Sequence, residues 1–480
     1  MKILIIQLAR LGDIYMSWPI ARALKRKNPE ADIHFLVRER FAGALEGLEC
    51  VNQIHKFNTP VVFEKLMDSV DEGIGCLDEF LDSLQKQNYD SVINLSFSPV
   101  SSYFTYYLGR TAKEVYGYSR FSDSSFALTD SISAYYFSQV GVEKHNRFHL
   151  IDIFSSMCGI DIEAEDFAYP VGFAFSSPIK DSYITVQLGA STANKTLTPF
   201  IWARVIKNFL SAHMGYKVVL IGSKDEQDLV SEIYAFNSHA DIINLVGKTS
   251  IPELFPIIKN AALHVGGDSL CVQITNLTKT PCLNLSFESV KFWETGPRSK
   301  GSFVLLNIQP SHVESTEVAN AIKGLMAKKP LPQLIEAVQS MPSYDLKFDL
   351  INDFEWALVK AIYLNEPFPM TDDILFFKGI EKLSQTNALI IETLESALDN
   401  GVGKFVKILA SCDETFMGIR QISPKVSVYI DWCLAEKIKV PPLTENEIVE
   451  SYLKVHNELK LLMRPYLLED NTQDEVKNHG

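Results

Sequence analysis

Short apolar runs alternate with amphipathic helical segments along the first two thirds of the chain, and this alternation restricts the fold more than any other feature. Runs typical of buried strands are KILIIQL, DIHFLV and YDSVINLS, and after a polar stretch they resume as ITVQLG, KVVLIG, DIINLVG, LHVGGD and CLNLS. Strands that alternate with helices form mostly parallel sheets covered on both faces. We therefore predict two α/β domains, residues 1–175 and 176–328.

A different pattern begins near residue 330, where strand-like runs almost disappear. Apolar residues at three- and four-residue spacing, as in DFEWALVKAIYL and ALIIETLESALD, predict a mainly helical extension over residues 329–480. The net charge of the 480-residue chain is −14, and residues 331–480 hold 24 Asp/Glu against 14 Lys/Arg. This acidity argues against a nucleic-acid partner. The sequence alone assigns no role to the extension.

Several function classes are excluded by motifs that the sequence lacks. Neither GxGxxG after the first strand nor GxxxxGK[ST] is present, which argues against a standard dinucleotide fold and a P-loop. The seven cysteines are scattered without a CxxC pair, and there is no HExxH, so we expect no metal site. The apolar start is too short for a signal peptide, and no run is long enough to span a membrane. We expect a cytoplasmic protein.

Two strand-to-helix junctions end in an acidic residue. QLARLGDIYMSWP places Asp13 after the first strand, and LHVGGDSLCVQ places Asp268 after a strand of the second domain. Ligands bind at the carboxyl edge of open parallel sheets, where both carboxylates fall. Unpaired N–H groups at the start of the following helix suit a phosphate. Each aspartate is also consistent with a plain helix cap.

Two further loops of the second domain carry charges at the same edge. In QLGASTANKTLTPFIW, Lys195 lies between the loop and its helix, where an ammonium can reach the oxygens of a diphosphate. In LIGSKDEQD, Glu226 follows a strand and can accept hydrogen bonds from ribose hydroxyls. A solvated lysine and a first-turn helix glutamate are the alternatives.

In this order the motifs resemble glycosyltransferase family 9, the heptosyltransferases. The matching segments, over roughly residues 1–325, are ILIIQLARLGDIYMSWPIARALKRK, QLGAS, VVLIGSKDE, INLVGKTSIPEL, GGDSLCVQITNLTKTP and ETGP. The resemblance implies a GT-B fold, in which two Rossmann-like domains face a cleft. The helical extension lies outside the usual family pattern.

The resemblance also implies an inverting, metal-independent and cofactor-free transfer. A heptose would pass from a nucleotide diphosphate, usually ADP-heptose, to a hydroxyl of the lipopolysaccharide core or of another glycan. Asp13 falls on the catalytic base, and Arg10 would orient the acceptor or pair with Asp13. The donor-binding residues that the resemblance implies are Ser191, Thr192, Lys195, Glu226, Thr249, Asp268, Ser269, Leu270 and Gln273.

This chain departs from the family pattern in two donor motifs, QLGAS and GGDSLCVQ. Leu270 stands where the family has a glycine, and Gln273 and Gln187 stand where it has histidines. Glutamine donates and accepts hydrogen bonds but cannot become cationic. Stabilisation of the departing diphosphate would therefore fall more on Lys195 and on helix amides.

Two other functions fit the same residues. A non-catalytic nucleotide-sugar-binding or scaffold protein would use the altered turn for binding alone, and a transferase of this fold could act on a protein acceptor. The basic segments ALKRKNP and VRERF are candidates for peripheral contact with an anionic lipid acceptor at the inner face of the membrane. Solvated helix faces are the alternative for these segments.

Overall fold

The computed structural model describes residues 1–141, 143–189, 195–287, 291–308, 313–331, 333–336 and 353–467. These residues form two compact units. The first contains residues 1–97, 107–115 and the described part of 147–346, and the second contains the described parts of 98–106, 116–146 and 347–480. Both predicted α/β domains contribute their sheets to the first unit, and the boundaries at 175 and 328 stay predictions.

The first sheet of unit one has the strand order β3-β2-β1-β4-β5. Its strands are β1 (Lys2–Gln7), β2 (Asp32–Arg38), β3 (Gln53–Phe57), β4 (Ser91–Asn94) and β5 (Glu114–Tyr116). The helices along this part of the chain are α1 (Leu11–Lys27), α2 (Thr59–Asp68), α3 (Val70–Gln85) and α4 (Pro99–Gly109). Strand β1 lies parallel to β2 and to β4, and its residues 3–6 are fully buried, as expected for a central strand covered on both faces.

The second sheet of unit one has the order β10-β9-β8-β11-β12-β13-β14. Its strands are β8 (Ser182–Gln187), β9 (Tyr216–Ile221), β10 (Ile242–Asn244), β11 (His264–Gly267), β12 (Cys282–Phe287), β13 (Phe303–Ile308) and β14 (Leu334–Glu336). Only β14 pairs in the antiparallel sense among the described strands of this sheet. The accompanying helices are α6 (Leu150–Met157), α7 (Pro199–Ala212), α8 (Gln227–Phe236), α9 (Ile251–Lys259), α10 (Leu270–Thr278), α11 (Phe292–Thr295) and α12 (Ser315–Met326).

The second unit joins the helical extension to a segment from the first 150 residues. It contains the hairpin β6 (Tyr118–Arg120) and β7 (Phe126–Leu128) together with helices α5 (Ser131–Gln139), α13 (Phe354–Leu364), α14 (Ile374–Asn400), α15 (Val406–Ile422), α16 (Ser427–Ile438) and α17 (Glu445–Met463). The buried carboxylate of Asp431 forms ion pairs with Lys144, over 2.8 Å, and with Arg420. The predicted helical character of the extension is confirmed. None of the helices in the described ranges is long and apolar enough to cross a membrane.

Candidate functional site

The turn that carries Asp13 is fixed by hydrogen bonds at the carboxyl end of β1. Asp13 is the third residue of α1, and its Oδ2 accepts a hydrogen bond from the backbone N–H of Arg10 over 2.9 Å. Gln7 is fully buried and donates from Nε2 to the Asp13 carbonyl over 3.4 Å and to Ser17 Oγ over 3.2 Å. Burial raises the pKa of Asp13, while the Arg10 amide and guanidinium oppose this rise. The carboxylate therefore caps the helix and also holds protons more tightly than usual.

Asp268 lies at the matching junction of the second sheet, between β11 and α10. The Thr295 hydroxyl donates to its Oδ1 over 2.8 Å. Burial is the main cause of the raised pKa of Asp268; the Thr295 bond and the Lys195 charge lower this pKa, and the nearby charge of Asp13 raises it further. The structure thus brings Asp13 and Lys195 each within electrostatic range of Asp268.

Glu226 ties together the ends of two neighbouring strands. Its Oε2 accepts a hydrogen bond from the Gly189 N–H over 3.0 Å, and its Oε1 accepts one from Ser223 Oγ over 3.0 Å. A Cβ added at Gly189 or at Gly222 would overlap the Glu226 side chain. The absence of side chains at these two glycines therefore makes room for the carboxylate at the carboxyl edge of β8 and β9. Contact with a ribose stays a prediction.

The first turn of α10 is capped from within the protein. Ser269 is the N-cap residue, and its Oγ accepts a hydrogen bond from the Cys271 N–H over 3.3 Å. The same hydroxyl donates to Gln187 Oε1, one of the two glutamines that replace family histidines. Leu270 is half-buried as the first residue of the helix.

Gln273 points into the protein, where both ends of its amide have partners. Nε2 donates to the Thr295 carbonyl over 2.6 Å, and Oε1 accepts a hydrogen bond from Asn276 Nδ2 over 3.1 Å. A Cβ added at Gly12 would lie 3.9 Å from Gln273 Cγ, so the first turns of α1 and α10 are neighbours. The two acidic junctions therefore meet where the carboxyl edges of the two sheets approach each other.

The remaining predicted residues lie at the margin of this site or outside the residues that the structure describes. Arg10 is exposed, and Thr249 is half-buried just before Ser250, the N-cap residue of α9. Ser191 and Thr192 lie outside the described residues. Within the described ranges, no group of three His, Cys, Asp or Glu residues is placed to hold a metal ion.

The basic segment at the end of α1 forms bonds within the protein. Arg26 forms ion pairs with Glu163 over 2.6 Å and with Asp166 over 2.8 Å. Lys27 Nζ donates to the Gly159 carbonyl over 2.8 Å, and Lys25 Nζ donates to the Ala31 carbonyl over 2.7 Å. Part of the positive charge of ALKRKNP is therefore balanced by neighbouring acids.

A buried cluster beside the site was not predicted. The Arg298 guanidinium NH1 donates to both carboxylate oxygens of Asp152, at 3.0 Å each, and both side chains are buried. His149 Nε2 donates to the Gly296 carbonyl over 3.2 Å. These bonds join α6 to the segment ETGPR, which also carries Thr295. The ETGP motif was the available signal, but the partners lie about 145 residues earlier in the chain.

Acid is expected to destabilise the protein through His264, which is fully buried on β11. Its Nδ1 lies 3.0 Å from Thr185 Oγ1, and burial lowers its pKa to about 3. In the unfolded state His264 takes up a proton below about pH 6.5, whereas in the folded protein it does so only near pH 3. The stability that comes from keeping this histidine neutral is therefore complete above about pH 6.5 and is lost as the pH falls toward 3. Between pH 7 and 4.5 the loss amounts to about 2–3 kcal/mol.

Urea denaturation of the parent and of His264→Gln at both pH values measures this effect. The glutamine can keep the bond to Thr185 but does not titrate. Between pH 7 and 4.5 the variant should lose about 2–3 kcal/mol less stability than the parent. Equal losses in the two proteins would contradict the assignment.

The chain is similar to known proteins across most of this site. The model of glycosyltransferase family 9 (heptosyltransferase) matches residues 78–318, half of the chain, which includes Lys195 and Asp268 but not Asp13. Lipopolysaccharide heptosyltransferase 1 of Campylobacter coli is 23% identical over 287 residues, which cover 56% of this chain and 79% of the relative. Lipopolysaccharide heptosyltransferase 3 of Escherichia coli (strain K12) is 24% identical over 283 residues, with 57% and 79% covered.

The same likeness holds for a solved structure. That of the E. coli ADP-heptose lps heptosyltransferase II matches with a TM-score of 0.51 at 18% identity, covering 68% of this chain and 99% of the other. The predicted GT-B class of α/β fold is thereby confirmed. The helices of the second unit that follow residue 353 are present in addition to the two parallel sheets.

Proposed function

Because this chain belongs to glycosyltransferase family 9, we propose that it transfers a heptose from ADP-heptose to a hydroxyl of a lipopolysaccharide-core glycan. The single observation that carries the proposal is the approach of Asp13 to Asp268, whose carboxylate also feels the charge of Lys195, where the first turns of α1 and α10 are neighbours. One side supplies a base and the other supplies positive charge and helix amides. The relatives named lipopolysaccharide heptosyltransferases support this choice of donor and acceptor.

We propose an inverting displacement in one step. The acceptor oxygen forms a bond to the anomeric carbon as the bond from that carbon to the diphosphate oxygen breaks, and the electron pair leaves with ADP. The hydroxyl proton passes to the Asp13 carboxylate. Burial raises the pKa of Asp13 and so strengthens it as a base, while the amide and the charge of Arg10 oppose this rise and favour the ionised form.

Lys195 and the first amides of α10 would stabilise the charge that develops on the leaving diphosphate. This arrangement supports a transfer that needs no metal ion. Contact of Glu226 with the ribose, and of Ser191 and Thr192 with the donor, belongs to the same proposal. The acceptor would be a glycolipid met by a cytoplasmic protein at the inner face of the membrane.

Nucleotide binding is tested by calorimetric titration with ADP, UDP and GDP. ADP is expected to bind most tightly, and Lys195→Met should weaken ADP binding about 10- to 100-fold because a charge-assisted bond to phosphate is lost. Lys207→Met, which removes an exposed lysine on α7, is the matched control and should bind like the parent. Equal affinity of the Lys195 variant and the parent would exclude Lys195 from the donor site.

The binding-protein alternative predicts a different pattern. Such a protein would bind ADP-heptose and be stabilised by it, by about 2.7 kcal/mol at a hundred times its dissociation constant, without consuming it. The replacement of a family glycine by Leu270 is the observation that keeps this alternative open. A transfer assay with the same preparation separates the two.

A further inference from the structure

A series of hydrogen bonds leads from within α10 to the carboxylate of Asp268. Asn276 Nδ2 donates to Gln273 Oε1 over 3.1 Å, and Gln273 Nε2 donates to the Thr295 carbonyl over 2.6 Å. The Thr295 hydroxyl then donates to Asp268 Oδ1 over 2.8 Å. We call these four residues the Asp268 relay.

The directions of these bonds are fixed by their partners. The backbone N–H of Arg298 donates to Asn276 Oδ1 over 2.6 Å, so the Asn276 amide can present only its NH₂ group to Gln273. Gln273 must then present its own NH₂ group to the Thr295 carbonyl. Gln273 and Asn276 are each 4% exposed, which leaves water little access to replace these bonds.

The relay explains what the glutamine does at a position where the family has a histidine. Both polar ends of Gln273 already have a partner inside the protein, and the side chain is buried, so little of it can reach a ligand. Its amide remains neutral across the working pH range. Asp268 therefore has a support whose charge does not change with pH.

We propose that Thr295 and Gln273 are positioning residues, which together hold the Asp268 carboxylate opposite Asp13, and that Gln273 does not contact the donor. Thr295 binds Oδ1, within the described ranges no hydrogen bond to Oδ2 is found, and Lys195 lies close enough for its charge to act on this carboxylate. The part of this proposal that concerns the donor rests on the proposed function. The hydrogen bond from Thr295 to Asp268 does not, and its effect on the ionisation of Asp268 can be measured without turnover.

Carbodiimide labelling followed by peptide mass spectrometry gives the protonated fraction of Asp268 against pH. Thr295→Val removes the hydroxyl that favours the ionised form, so the labelling midpoint should rise by about one pH unit. Thr295→Ser should restore the parent midpoint. Thr278→Val is the matched control, because Thr278 is a buried threonine that ends α10, as Thr295 ends α11, and its hydroxyl bonds Thr280 outside the relay. Thr295→Ala replaces the valine variant if that variant does not fold.

Combined substitutions test whether Gln273 acts on Asp268 through Thr295. Gln273→Met should raise the Asp268 midpoint by less than Thr295→Val does, and the double variant should match Thr295→Val alone, because Gln273 acts through Thr295. In transfer assays the same non-additivity is expected in kcat/KM. Independent, additive increases in the donor KM would show that Gln273 contacts the donor and would overturn the proposal.

An unchanged midpoint in Thr295→Val would also overturn the relay, even in a protein that transfers heptose normally. A shifted midpoint in a protein that transfers nothing would support the relay and contradict the proposed function instead. The two failures are therefore distinguishable.

Discussion

Asp13→Asn is expected to lower kcat for heptosyl transfer by about 10²- to 10⁴-fold, the usual contribution of a general base. The asparagine side-chain oxygen can still accept the hydrogen bond from the Arg10 N–H, so the first turn of α1 keeps its cap. The amide cannot take up the hydroxyl proton. The rate of ADP release in the presence of acceptor measures the effect, and the circular dichroism spectrum and Tm should match those of the parent.

Glu253→Gln is the matched control for this substitution. Glu253 is also the third residue of a helix, and its carboxylate accepts a hydrogen bond from the Ser250 N–H over 2.7 Å. The control removes a capping charge from α9, and transfer should continue at the parent rate. If Asp13→Asn and Glu253→Gln transferred equally fast, Asp13 would be only a helix cap.

Arg298→Met is expected to lower the free energy of unfolding by about 3–5 kcal/mol, because the substitution takes the guanidinium away from a buried carboxylate. Arg298 and Asp152 are 8% and 5% exposed, and two bonds of 3.0 Å join them. Burial lowers the pKa of Arg298, whereas the Asp152 carboxylate opposes this change. Urea denaturation of the two proteins at pH 7 gives the difference.

The double variant Arg298→Met with Asp152→Leu separates this cost from the loss of packing. Replacing both charges with apolar side chains also removes the buried negative charge, so most of the lost stability should return. A double variant that was less stable than Arg298→Met would contradict this explanation.

Local sequence patterns predicted the sheets and the acidic junctions. Apolar runs such as residues 3–6 become central strands, because a strand covered on both faces must be apolar throughout. The Gly-Asp junctions lie where parallel topology places them, at the carboxyl edge. The sequence therefore indicated that Asp13 and Asp268 could meet, since sheet topology alone fixes which end of a strand faces the ligand.

Partners far apart in the chain could not be predicted. The pairing of Lys144 with Asp431 places part of the first 150 residues in one unit with the helical extension, and no local pattern records such a pairing. Gln273 was predicted to bind the donor because it falls on a family motif. Donor contact stays a prediction, and the hydrogen bond of Gln273 to the Thr295 carbonyl, 22 residues away, had no local signal.

The central claim is tested most directly by the release of ADP from ADP-heptose, with and without a heptose-deficient lipopolysaccharide-core acceptor and in the presence of EDTA. The account predicts release only with acceptor, one ADP for each heptose joined, at a rate that EDTA does not change. Binding of ADP-heptose with no acceptor-dependent release would contradict it.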